Sequence, residues 1–274
     1  MSVVDCHAHI TSQNDRRYQP KDKPLRPPKG VGDSEDLRKT SVAAGVTRVR
    51  AIQTVSYYGY DNRYLCDEAK RHAAWMTGVC TLDPDDPHSP LDLRRFIREY
   101  NVKALRSIPS NRTRTFDHAG VRALWKVVAE EGVKVDLFLM QRPHIEGAVK
   151  LLEEFPGVTV GFCHCMDLKP GPQLKENLAA VLSLARFPKL YPKVDFIGTG
   201  TQESYPCEDL HETMMAVIRG YGAERCLWAS SYPNQVWTPR ITYGQHLQIF
   251  REALPLTAKE RALILGENAD RLGF

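Results

Sequence analysis

The residues best suited to chemistry stand at the start of the chain, in Asp5-Cys6-His7-Ala8-His9. Side chains alternate along a strand, so an extended reading puts Asp5, His7 and His9 on one face and Cys6 and Ala8 on the other. Residues two apart on a strand lie about 6.6 Å apart at Cα, from which two imidazoles can converge on one ion. A second group is Phe162-Cys163-His164-Cys165-Met166. Alternation separates His164 from both thiols, so a Cys-His-Cys chelate would need a bulge. Cys163 and Cys165 then read as packing residues, with a thiol nucleophile as the alternative. Arg106 has the chemistry to grip a carboxylate bidentately, or to tie down a neighbouring loop. Arg50, Gln53, Tyr57 and Tyr58 are further candidates, the tyrosine pair either flanking a planar substrate or packing a loop. Lys193 and Asp195 share a strand face by alternation; if that face is inward, Lys193 is a substrate contact and Asp195 a carboxylate base. Asp167 and Glu203 are weaker candidates on loops.

Such groups need a scaffold that brings distant segments together. Eight short β-branched or apolar runs recur, at 2–7, 46–55, 75–82, 102–108, 133–139, 158–164, 190–197 and 225–231. Amphipathic helical patterns lie between them: Ser89-Pro90 opens one, and Asp117 and Gly132 bracket another. Strand then helix, eight times, predicts a single (β/α)8 TIM-like barrel spanning 1–274 as one domain; a doubly wound open sheet is the alternative and leaves the eighth repeat unexplained. Residues 11–32, rich in Pro, Lys and Arg, form an insertion loop after the first strand. It reads either as a solvated surface insertion or as a lid whose Arg16, Arg17, Lys21 and Lys23 attract an anion. Closing helices follow near the C-terminus, with Thr257 and Glu260 forming a capping box.

Five segments in order, "DCHAHI", "GVCTLDPDDP", "VGFCHC", "YGAERCLWASSYP" and "GENADRL", resemble the amidohydrolase-related family of the amidohydrolase 2 type. The resemblance covers essentially the whole chain and implies a TIM-barrel enzyme. It points to the hydrolysis or decarboxylation of small carboxylated or lactone-type substrates. Metal-dependent relatives take ligands from the strand-one His-x-His, often a strand-five His, a strand-six His and a strand-eight Asp. That pattern carries over to His7, His9 and His164, as catalytic residues and as ligands for zinc. It departs at Phe138, where a His is expected, and at Ser231, where "WASSYP" replaces Trp-Gly-Ser-Asp-Tyr-Pro. A neutral hydroxyl is a poor substitute for that aspartate as ligand or general base. Ser231 then reads as a substrate hydrogen-bonding group, a structural residue, or a nucleophile beside a histidine. The implied site is degenerate, metal-independent or weakly zinc-binding. Two alternatives stay open: a zinc enzyme using the three histidines, and a non-catalytic ligand-binding barrel.

Composition excludes other classes. An apolar fraction of 42%, a charged fraction of 26% and a net charge of +4 over 274 residues describe an ordinary globular chain with no basic run for nucleic acid. No apolar stretch is long enough to span a membrane, and no leader pattern opens the chain. Seven scattered cysteines suit reduced thiols in a cytoplasm better than a disulfide framework. The expected partner is a small anionic substrate, with a homo-oligomer as an open option.

Overall fold

Seven of the eight anticipated strands form in the computed structural model, which describes residues 2–274. They are β1 (Val4–His9), β2 (Arg48–Ile52), β3 (Met76–Cys80), β4 (Val102–Ser107), β5 (Lys134–Leu137), β6 (Val160–Phe162) and β7 (Leu190–Pro192). Each pairs in parallel with the next, in chain order, to give one sheet. Parallel neighbours need a crossover, and helices such as Ser89–Glu99 and Ala119–Glu131 supply it. The punctuation matches the local chemistry: Pro90 lies in the first turn of Ser89–Glu99, and Gly132 ends Ala119–Glu131 in a left-handed cap at φ 66°. The N-cap of the latter is His118 rather than Asp117; its ring accepts from Gly120 N–H. The Thr257–Glu260 capping box also forms.

The run 225–231 does not become a strand. It hydrogen-bonds to β1 through Cys6 N–H to Trp228 O (3.1 Å) and Ser231 N–H to His7 O (2.9 Å). It reaches the β7 side through Leu227 N–H to Pro192 O (2.9 Å), so it bonds to both ends of the sheet. Ser231 sits at φ 53°, and a left-handed residue breaks the extended run that a ladder requires.

Outside the sheet, Val121, Leu124, Trp125 and Val128 of one helix are buried in the main apolar core. Removing Val121, Leu124 or Val128 from water is worth roughly 1.5–3 kcal/mol each. Trp125 Nε1–H donates to Ser107 Oγ at 2.9 Å, fixing the outward face of β4 and turning Arg106 inward. Inside the curl, Ile52, Val79 and Ala104 from successive strands form one small apolar cluster.

The expectation that Asp5 shares the histidine face is corrected here. The β1–β2 register slips between Asp5 and Ala8, a bulge that breaks the alternation. Cys6 therefore packs with Val4, Leu227, Ala229 and Phe274, while Asp5 leaves the histidine face. Asp5 accepts instead from His7 N–H (3.1 Å), Ser230 N–H (2.9 Å), Ser230 Oγ–H (2.6 Å) and Tyr243 Oη–H (2.9 Å). Arg50 and Lys193 do point inward, but below the cleft. Both pair with the buried Asp136 carboxylate, Arg50 Nη2 at 3.1 Å from Oδ1 and Lys193 Nζ on Oδ2. Gly161 leaves room for this cluster, since a Cβ there would lie 3.0 Å from both Asp136 Oδ1 and Lys193 Cε. Both share the one Asp136 carboxylate below the cleft, and neither lines its wall.

Residues 11–32 carry no helix or strand and lie against the segment after β2. Ser12 N–H donates to Tyr58 Oη (2.7 Å), Arg26 donates to Tyr57 Oη (2.7 Å), and Tyr57 donates to Asp15 (3.0 Å). Tyr57 and Tyr58 thus anchor that loop instead of flanking a ligand. Arg17 is held by Asp67 at 3.1 Å. All seven cysteines are free and buried, and no helix among the described residues is long and apolar enough to cross a membrane.

Candidate active site

A cleft of about 620 Å³ opens at the C-terminal ends of the strands, lined by His9, Arg106, Phe138, His164, Asp167, Ser231 and Trp237 together with apolar residues. His164 arrives there by an unusual backbone. β6 stops at Phe162, and His164, Cys165, Met166 and Asp167 all adopt positive φ, from 44° to 59°. Left-handed backbone costs a non-glycine residue about 1–2 kcal/mol, so this turn is strain held in place by its surroundings. His164 N–H donates to Asp195 Oδ1 at 3.1 Å, which is part of that hold. Asp195 follows β7 and precedes a short helix, Phe196–Gly200.

The buried groups converge. His7 and His9 bring their Nε2 atoms to 3.2 Å, and the His7 and His164 rings meet edge-on at 4.5 Å between centroids. His9 Nδ1–H donates to Ile52 O at 3.0 Å, which leaves His9 Nε2 as a lone pair facing His7. Burial first, and then neighbouring positive groups, push both His7 and His9 well below the usual imidazole value, so both rings are neutral. His164 Nδ1 lies 2.8 Å from Asp195 Oδ2, and Ser231 Oγ–H donates to the same oxygen at 2.9 Å. Burial acts to raise the Asp195 carboxyl, but His164, Ser231 and Lys193 together hold it below the ordinary carboxylate range.

His7, His164 and Asp195 each offer a ligand atom within 4.8 Å of the others. The mutually close group is thus two imidazoles and a carboxylate, with His9 Nε2 against His7 Nε2 beside it. A ring nitrogen without a hydrogen-bond partner supports a cation fit: His7 Nδ1 is buried in that condition. Neutral imidazoles plus a carboxylate are a donor set that zinc accepts.

Phe138 lines the cleft where a histidine is expected. Its ring carries the Arg106 guanidinium at 4.0 Å on one side and meets the His164 ring edge-on at 5.8 Å. Arg106 is buried, burial pushes its pKa down, and its Nε has no partner. No carboxylate pairs with it among the described residues. Asp167 is in the wall, bonded by Thr199 Oγ–H at 3.1 Å, whereas Glu203 is not. Gln53 is spent on the Gly59 and Asp61 carbonyls. Tyr60, Asn111 and Trp237 join the wall unannounced: the first two lie in turns and Trp237 ends the four-residue helix Asn234–Trp237, all too short for periodicity to say which way a side chain turns.

A family profile described as Amidohydrolase matches residues 4–272. The chain belongs to the amidohydrolase family of enzymes. Among solved structures it is similar to a putative 2-pyrone-4,6-dicarboxylic acid hydrolase from Pseudomonas putida, with 23% identity, 99% of this chain and 97% of that one covered, and a TM-score of 0.78. It is also similar to an amidohydrolase from Burkholderia multivorans with bound zinc (17% identity, 99% of both chains, TM-score 0.78). A third likeness is to 5-carboxyvanillate decarboxylase from Sphingomonas paucimobilis (14% identity, 99% and 98% covered, TM-score 0.66). At such identities the likeness establishes the fold. Among curated proteins no sequence match is found.

Proposed function

We propose that this amidohydrolase hydrolyses a lactone or related carbonyl bond in a small carboxylated molecule. The observation that carries the reading is Arg106: a buried guanidinium at the cleft with no carboxylate of its own. Burying an unpaired charge costs several kcal/mol, which a bound carboxylate would recover through two parallel hydrogen bonds. The Phe138 ring, 4.0 Å from the guanidinium carbon, holds that group in place at the cleft.

Asp195 is the base. Its depressed pKa makes it ionised at neutral pH, which suits taking a proton from water better than giving one to a ring carbon, and so favours hydrolysis over decarboxylation. Water adds to the carbonyl carbon, its proton passes to Asp195 Oδ2, and the same proton leaves with the departing ring oxygen as the C–O bond breaks. Ser231 orients Asp195, because its hydrogen already points at Oδ2. His164 steadies the carboxylate from the other side. His7, His164 and Asp195 would hold a zinc ion, which supplies Lewis acidity toward a substrate oxygen when bound.

The test is hydrolysis of 2-pyrone-5-carboxylate, followed by loss of pyrone absorbance with and without added zinc. Arg106→Met should raise KM at least tenfold, and Asp195→Asn should lower kcat at least a hundredfold. Wild-type rates in both variants would end this reading.

A further inference from the structure

We infer that the substrate carries a single carboxylate and that its far end is uncharged. The inference rests on the carboxylate role just given to Arg106. Five rings, Phe138, His164, His7, His9 and Trp237, form a continuous arc with successive centroids 4.5 to 5.8 Å apart. One end of the arc carries Arg106 at 4.0 Å from the Phe138 ring. The rest of the wall offers no second guanidinium or ammonium group. Its remaining polar contacts are neutral or acidic: Asn111 Nδ2 donates to Tyr60 Oη at 2.5 Å, and Asp167 is a carboxylate.

Cations elsewhere near the cleft do not supply the missing charge. Arg50 and Lys193 lie below the wall on the shared Asp136, Arg17 pairs with Asp67, and Lys169, exposed and outside the wall, pairs with Asp167 at 3.5 Å. Arg112 follows Asn111 but is solvent-exposed and outside the wall. A second carboxylate would leave water for a wall of Val55, Ile108, Pro109 and Met140 beside Asp167, where desolvation and like charge both oppose it. A hydroxyl or carbonyl at that end suits the Tyr60–Asn111 pair, which can donate or accept. The side chains of the wall therefore select planar monocarboxylates against dicarboxylates, since Arg106 is the one cationic side chain among them.

Two unreactive probes that differ in one group decide this: 3-hydroxybenzoate and isophthalate, titrated into the full chain by calorimetry. Wild type should bind 3-hydroxybenzoate at least ten times more tightly than isophthalate. Asn111→Arg places a cation on the same wall and should reverse the order. Arg106→Met should weaken both probes. If isophthalate binds wild type as tightly as 3-hydroxybenzoate, while Arg106→Met weakens both, the single-carboxylate inference is overturned and the role of Arg106 stands. If neither probe binds, or Arg106→Met changes neither, the role of Arg106 falls and takes this inference with it.

Discussion

The Ser231 hydroxyl donates to Asp195 Oδ2 over 2.9 Å, so the carboxylate of one segment stands beside the position where the family resemblance calls for an aspartate. Asp195→Ser should remove most turnover, and adding Ser231→Asp should regain at least tenfold by returning a carboxylate to the same wall. Ser231→Asp alone sets two carboxylates side by side, where one must hold a proton at neutral pH, so the acid limb of its pH–rate profile should move up. A double variant no more active than Asp195→Ser would show that the two positions are not interchangeable.

Zinc distinguishes the ligand set in the structure from three imidazoles. Metal-stripped protein should take up one zinc per chain and melt at higher temperature, since a ligand at a hundred times its Kd stabilises by about 2.7 kcal/mol. His7→Ala, His164→Ala and Asp195→Asn should each abolish the shift. His9→Ala should weaken it by less, because His9 lies outside the mutually close group. Equal loss in His9→Ala and Asp195→Asn would restore the three-histidine arrangement.

Stability of the metal-stripped protein should fall on acidification. Burial lowers His7 and His9 well below 6.5 and His246 to about 4, so the unfolded chain binds protons at these sites that the folded chain refuses. Their contribution is complete above pH 6.5 and is lost as pH drops below it. Asp5 acts oppositely, because burial raises its carboxyl from 3.8 to about 6 and the folded chain takes that proton first. Three groups against one leave about two net protons near pH 5, or about 3 kcal/mol per pH unit. Urea midpoints that stay flat from pH 7 to 5 would contradict this.

Asp136 should matter more to folding than any surface acid. Asp136→Ala leaves Arg50 and Lys193 buried without a partner, a loss of about 3–5 kcal/mol. Asp61→Ala removes the exposed Arg63 pair and should cost under about 1 kcal/mol. Chemical denaturation of both variants gives the comparison.

The sequence by itself determines the order of strands and helices, the helix ends at Gly132 and Thr257, and the arrival of His7, His9 and Arg106 at one end of the sheet, whereas His164 owes its place to the left-handed turn after Phe162 and not to strand alternation. These are local matters of period and capping, and seven parallel strands in chain order leave little freedom. What only the tertiary structure decides is where periodicity fails or distance intervenes. The bulge after Asp5 moves that carboxylate off the histidine face. Ser231 at positive φ ends the eighth run as an irregular segment. Lys193 and Asp195 share an inward direction, yet one meets Asp136 below and the other meets His164 above, because depth inside the curl depends on sheet stagger and not on alternation. The partner of Ser231 is 36 residues away, and a contact of that separation is set by packing of the whole sheet rather than by any local pattern of residues.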